Sequence, residues 1–157
     1  MKNTAEIIDD KSRINMTALA IEDNPYFALS TLEIERAGAT YTCETLAFLR
    51  EKYPENEYYF IIGADNLFSI EKWYKPQRIF DNCILVAAVR GDKDCADMHQ
   101  KAEELQQKYH ARILLLPERI IDLSSTEIRL RIKNGQSIRY MVPEKVYAYI
   151  EKNRLYQ

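Results

Sequence analysis

Two stretches combine residue types that could do chemistry. In the first, Ser124-Ser125-Thr126-Glu127 with Arg129 close behind sets three hydroxyls at the expected start of a helix. A helix start presents free N–H groups and the positive end of the dipole, which favours phosphate. Hydroxyls add donors, and a guanidinium matches phosphate oxygens in a forked geometry. A capping box, in which Ser124 caps and Glu127 reaches back, explains two of these residues equally well. Both readings stay open on residue type alone. In the second stretch, the apolar run Tyr58-Tyr-Phe-Ile-Ile62 breaks at Gly63-Ala-Asp65, and the chain's one tryptophan, Trp73, stands eight residues beyond Asp65 and directly before Tyr74. A strand that ends in a small residue and a carboxylate is where open α/β sheets take their ligands. Trp73 offers a flat apolar surface beside it. The plain alternative is a turn aspartate capping a helix and a tryptophan in the core.

The elements around these stretches must hold them. The uninterrupted run at 58–62 predicts a strand buried on both faces. Further strands are predicted near 27–34, 83–89 and 112–116, the first from the spacing of Phe27, Leu29, Leu32 and Ile34. Helices are predicted from about Lys11 to Asn24, from Cys43 to Tyr53 with Thr42 as N-cap, over 76–81, and from Asp92 to His110. The last has Met98, Ala102, Leu105 and Tyr109 on one side. Two more follow, from Ser124 to Asn134-Gly135 and from Pro143 to about Asn153. Strands alternating with helices, with no linker or repeat, predict one α/β domain over residues 1–157 with a parallel sheet and helices on both faces.

Composition excludes several classes. Net charge is −2 with 29% charged residues of both signs, so no basic face advertises a nucleic-acid partner. Cys43, Cys83 and Cys95 are odd in number and widely spaced, against a disulfide framework or a zinc site. Gly38, Gly63, Gly91 and Gly135 never cluster, so there is no glycine-rich phosphate loop. His99 and His110 read as surface residues, and no nucleophilic triad is visible. No apolar run reaches the ~20 residues a bilayer span needs, and the polar start carries no signal peptide, so a cytoplasmic protein is expected.

Four segments together resemble the bacterial nicotinate mononucleotide adenylyltransferases, members of the nucleotidyltransferase superfamily. They are Glu33-Ile-Glu-Arg-Ala-Gly-Ala-Thr-Tyr-Thr-Cys-Glu-Thr-Leu46, Phe60-Ile-Ile-Gly-Ala-Asp-Asn66 with Lys72-Trp-Tyr74, Ile121-Asp-Leu-Ser-Ser-Thr-Glu-Ile-Arg129, and Ser137-Ile-Arg-Tyr-Met-Val-Pro143 with Tyr149-Ile150 and Leu155-Tyr156. They occur in the family's order across essentially the whole chain. The resemblance implies a Rossmann-like nucleotidyltransferase fold. It also implies transfer of the adenylyl group of ATP to nicotinate mononucleotide, giving deamido-NAD and pyrophosphate in NAD biosynthesis. Trp73 would stack on the nicotinate ring, and Thr42 and Tyr74 would meet its carboxylate, largely through backbone N–H groups. Gly63 and Asp65 would line the nucleotide site near ribose and phosphates. Ser124, Ser125, Thr126 and Arg129 would hold the ATP phosphates, and Mg2+ would arrive with ATP.

The sequence also departs from that family. Its opening strand into Gly-Gly-Thr-Phe-Asp-Pro, its His-x-Gly-His motif and its Pro-Pro-His-Lys loop have no counterpart here. The chain lines up from the helix after that loop, so no catalytic residue of the family can be placed on it, and the family's amino-terminal strands are expected to be missing. Slow turnover by this chain alone is therefore expected, since each such charge-stabilising donor is worth a factor of ~10²–10³. A non-catalytic mononucleotide-binding domain is the alternative. The 58–62 strand would also have an open edge, unless the 27–34 strand moves in to pair with it.

Overall fold

Three short, largely apolar runs form the frame: β1 (Tyr59–Gly63), β2 (Ile84–Arg90) and β3 (Arg112–Glu118). The structure is a computed structural model and describes residues 8–36, 38–90, 95–118 and 123–157. Expectations that fall on Ile7, Gly91, the first residues of the Asp92 helix and the lead at 120–122 lie outside those residues. The strands pair in parallel in the order β1-β2-β3, with Phe60 beside Leu85 and Leu85 beside Ile113. Helices alternate with them: α2 (Thr42–Lys52), α3 (Ala64–Ser69), α4 (Pro76–Asn82) and α5 (Cys95–Tyr109). The expected α/β class with a parallel sheet is what the chain adopts.

Contacts divide the chain into two compact units, residues 36–121 and residues 1–35 with 122–157. The sheet belongs to the first. Successive strand residues face opposite ways, and one face carries Phe60, Ile62, Leu85, Ala87, Ile113 and Leu115. That face shares a single core with Cys43 and Leu46 of α2, Leu67 of α3, Ile79 and Phe80 of α4, and Met98, Ala102 and Leu105 of α5. Met98, Ala102 and Leu105 recur at helical spacing, which is why α5 lies along the sheet. The other face differs from the expected burial on both sides: Tyr59, Ile61, Leu114 and Leu116 are exposed. An uninterrupted apolar run signals two apolar faces, and within this unit the four helices share the core of one of them. Among the described residues β1 is one of the two edge strands and pairs with β2 alone.

The predicted strand at 27–34 does not form. Residues 27–31 have no regular structure, and the chain turns at 32–34, where the Ile34 N–H donates to the Thr31 carbonyl at 2.9 Å. The apolar pairs explain the miss, since Phe27 and Leu29 fall on odd positions, Leu32 and Ile34 on even ones. A one-residue slip moves a strand's apolar set to its other face, so no single face existed to bury. The edge of β1 is therefore not filled by this stretch.

The second unit contains α1 (Asp10–Ile21), α6 (Ser125–Lys133) and α7 (Glu144–Asn153). Ile132, Ile138, Val146 and Ile150 are its buried centre, with Met16, Leu19 and Ile128 packed against them. Asn15 of α1 donates to the Tyr149 hydroxyl of α7 at 3.0 Å. Asp9 caps α1 by accepting the Ser12 N–H at 2.8 Å. Gly135 ends α6 as expected: its φ is +68°, a left-handed conformation that suits glycine.

Candidate functional site

In the unit of residues 36–121 the candidate residues gather around two helix starts and a turn. Gly63 closes β1 and leads into α3, where Asp65 sits in the first turn and is exposed. The φ of Gly63 is −79°, which any residue adopts, and a Cβ placed there would meet no atom within 4 Å. Glycine is not demanded by the backbone here. It leaves the carboxyl end of β1 open to close approach.

Trp73 follows a single 3-10 turn, Ile70–Lys72, and its N–H donates to the Ile70 carbonyl at 3.0 Å. The half-buried indole meets the Phe60 ring edge-on, centroids 6.3 Å apart and planes at 68°. Phe60 lies three residues before Gly63, so the tryptophan is fixed to the strand that ends at the open glycine. Tyr74 is exposed, and its ring lies 4.4 Å from that of Tyr41, the residue just before α2. That pair brings Tyr74 to the start of α2, where Thr42 is the first helical residue.

Thr42 is not the N-cap that its type predicts. Tyr41 takes that position in extended conformation, and no side chain caps the helix. A β-branched hydroxyl can cap only from outside the helix, and the Tyr41–Tyr74 contact sets the register one residue earlier. The start of α2 therefore lacks the side-chain acceptor that usually takes one of its first N–H groups. Tyr41 was not anticipated as a site residue, because a tyrosine before a helix carries no capping signal. The Cys83 thiol, which could have been a nucleophile, is pushed up to about 11 by burial and stays inert in the core.

Glu71, in the 3-10 turn, was also not anticipated. It accepts from Lys101 Nζ at 2.6 Å, Lys108 Nζ at 2.8 Å and the Tyr109 hydroxyl at 3.1 Å, all on α5. Hydrogen bonds from Lys101 first, then Lys108 and Tyr109, draw its carboxyl from 4.5 down to about 2, against the opposing effect of burial. A folded value below the unfolded one means that the stabilisation is complete above about pH 4.5 and disappears as pH falls through 2. The melting-temperature gap between wild type and Glu71→Gln should therefore narrow as the pH is lowered from neutral toward 2. A gap independent of pH would show that the carboxylate charge contributes nothing.

In the other unit, α6 carries the hydroxyl cluster. Ser124 is its N-cap, and its Oγ accepts the Glu127 N–H at 3.1 Å. Only half of the expected capping box forms, because the Glu127 carboxylate turns forward to Arg131 Nε at 3.3 Å. Ser125 and Thr126 are exposed. Arg129 reaches back to donate Nη2 to Thr126 Oγ1 at 3.3 Å, while its Nε is buried and without a partner. A cleft of about 460 Å³ opens beside them, lined by Arg13 and Met16 of α1, Ser125 and Arg129 of α6, Val146 of α7 and Tyr156. Burial raises the Tyr156 phenol, opposed by the charges of Arg129 and Arg13. The cleft thus combines an apolar lining with cations and hydroxyl donors. His99 and His110 are exposed, as expected of surface residues. Among the described residues no helix is long and apolar enough to cross a membrane.

Comparison with known proteins places the chain in a family. Residues 1–131 match the cytidylyltransferase-like family. A probable nicotinate-nucleotide adenylyltransferase of Lachnoclostridium phytofermentans is 47% identical over 155 residues, covering 99% of this chain and 78% of the relative. Its counterpart in Caldicellulosiruptor bescii is 41% identical over 97% of this chain and 76% of the relative. Among solved structures, Plasmodium falciparum nicotinic acid mononucleotide adenylyltransferase complexed with NaAD superposes with a TM-score of 0.75 at 20% identity, over 99% of this chain and 78% of that one. The same enzyme complexed with APC gives 0.74, over 96% and 77%. At that identity the superposition speaks for the fold, and the close relatives speak for the family. The chain belongs to the cytidylyltransferase-like family and, within it, to the bacterial nicotinate-nucleotide adenylyltransferases.

Proposed function

We propose that this chain binds nicotinate mononucleotide at Trp73 and ATP at the start of α6, for adenylyl transfer that yields deamido-NAD and pyrophosphate. The observation that carries the pyridine half is the setting of Trp73. Its indole is held edge-on by Phe60 of the strand that ends at the open Gly63, next to Tyr74, whose ring meets Tyr41 at the start of α2, which no side chain caps. A flat aromatic carboxylate needs those features: a ring to stack on and N–H donors for its charge. Thr42 and Tyr74 supply the donors, and Gly63 and Asp65 line the path of ribose and phosphate.

Ser124, Ser125, Thr126 and Arg129 are assigned to the ATP phosphates. The partnerless Nε of Arg129 supports this, since a buried donor left unsatisfied costs about 1–3 kcal/mol and a phosphate oxygen would relieve it. In the transfer, an oxygen of the mononucleotide's 5′-phosphate forms a bond to the α-phosphorus of ATP. The bond from that phosphorus to the bridging oxygen breaks, and pyrophosphate leaves with the electron pair. No covalent intermediate on the protein is required, so the chain contributes positioning and charge neutralisation. Magnesium enters as part of the ATP substrate. The assigned residues fit that role, because they offer N–H, hydroxyl and guanidinium donors to phosphate with Asp65 as their one carboxylate. Among the described residues no three metal-ligating side chains stand close together. With these substrates we place the reaction in the cytoplasm.

Gly63→Val tests the pyridine-nucleotide site without disturbing the core. The substituted side chain meets no protein atom at its Cβ, so stability should stay within about 0.5 kcal/mol of wild type. Nicotinate mononucleotide should bind about 5- to 100-fold more weakly by calorimetry, the cost of overfilling a fitted site. Unchanged affinity would remove Gly63 from the site.

A further inference from the structure

The segment that carries the proposed ring platform is short, and its own backbone holds it weakly. Trp73, Tyr74 and Lys75 run between a three-residue 3-10 turn and α4, with Lys75 in the left-handed region at φ +48°. A 3-10 turn of that length has poor hydrogen-bond geometry and little stability of its own. Beyond the ring contacts of Trp73 with Phe60 and of Tyr74 with Tyr41, what fixes it comes from α5. Glu71, two residues before Trp73, accepts from Lys101, Lys108 and the Tyr109 hydroxyl. On the far side of the segment, Phe80 of α4 lies 5.0 Å ring to ring from Tyr109, and Gln77 Nε2 donates to the Tyr109 carbonyl at 3.1 Å. Both ends of the segment are therefore tied to the last turn of α5. That helix is itself anchored by the fully buried Met98 and Leu105. Among the described residues the Glu71–Lys101 pair is one of the better shielded, with side chains 27% and 15% exposed. Pairs of this kind fix geometry more than surface ion pairs do. Ile70, at 0% exposure, plugs the turn from below and leaves Glu71 to set its rotation.

We infer that Glu71 is a positioning residue for the pyridine-nucleotide site, its three-armed grip on α5 holding the turn that aims Trp73. The inference rests on Trp73 as the ring platform. It adds a residue that acts on Trp73 through the turn rather than on the substrate, by hydrogen bonds with side chains 30 to 38 residues away in sequence.

The test uses Trp73 as its own reporter, since it is the only tryptophan. In Glu71→Gln, with circular dichroism unchanged, Trp73 emission should shift to the red and its anisotropy should fall, both without ligand. Nicotinate mononucleotide should bind about 3- to 30-fold more weakly, the range of coupling between residues in one network. In a Trp73→Ala background the same substitution should change affinity by less than about twofold, because the two losses are not independent. Lys108→Met removes one arm at a side chain 63% exposed and should give a smaller shift in the same direction, which keeps the inference testable if Glu71→Gln does not fold. Unchanged emission and affinity in both variants overturns the inference. So does an equal affinity loss with and without Trp73, which would mark a general structural effect. If Trp73→Ala alone leaves binding intact, the ring-platform assignment fails, and the ligand-free emission still decides whether Glu71 holds the turn.

Discussion

Trp73→Ala should weaken nicotinate mononucleotide binding by about 5- to 150-fold in isothermal calorimetry, the equivalent of the ~1–3 kcal/mol that stacking of a base on an aromatic ring contributes. The site explains why the effect should be large. Trp73 is half-buried against Phe60, so the indole is already ordered before ligand arrives and little side-chain entropy is lost on binding. Trp73→Phe keeps a ring and should recover part of the loss, whereas loss of charge complementarity would not be recovered by any ring. A Trp73→Ala protein that binds as well as wild type would show that the ring rests elsewhere.

Arg129→Ala should weaken ATP by about 10- to 150-fold, matching the ~1.5–3 kcal/mol of a hydrogen bond to a charged group. Nicotinate mononucleotide affinity should barely move. Arg129→Lys keeps the charge but loses the fork and should fall in between, since the ammonium cannot reproduce a bidentate contact. Ser124→Ala separates the two roles of this turn. If Ser124 only caps α6, its loss should cost about 1 kcal/mol of stability and leave ATP affinity alone. Stability loss without any change in ATP binding across all three variants would reduce the cluster to a helix cap.

The legible parts of the fold were those that depend on neighbours in sequence. The spacing of Met98, Ala102 and Leu105 marks the buried side of α5, and Gly135 marks the end of α6, because both are local signals. The 27–34 stretch misled because two short alternations, Phe27–Leu29 and Leu32–Ile34, read as one strand although their apolar positions change phase midway. The start of α2 misled by one residue, since Tyr41 is placed by a ring in another segment, 33 residues on at Tyr74. Gly63, Asp65, Trp73 and Tyr74 could be singled out because residue type and the family resemblance agree there. Glu71 could not. A glutamate among charged neighbours is unremarkable until folding brings Lys101, Lys108 and Tyr109 to it.

Selective excitation of Trp73 during a titration with nicotinate mononucleotide addresses the central claim with one signal. Saturable quenching is expected, since the pyridine ring should lie against the only indole, with a midpoint equal to the calorimetric one and moved about 5- to 100-fold higher in Gly63→Val. Emission that stays constant while calorimetry records binding would place the ligand away from Trp73 and contradict the assignment.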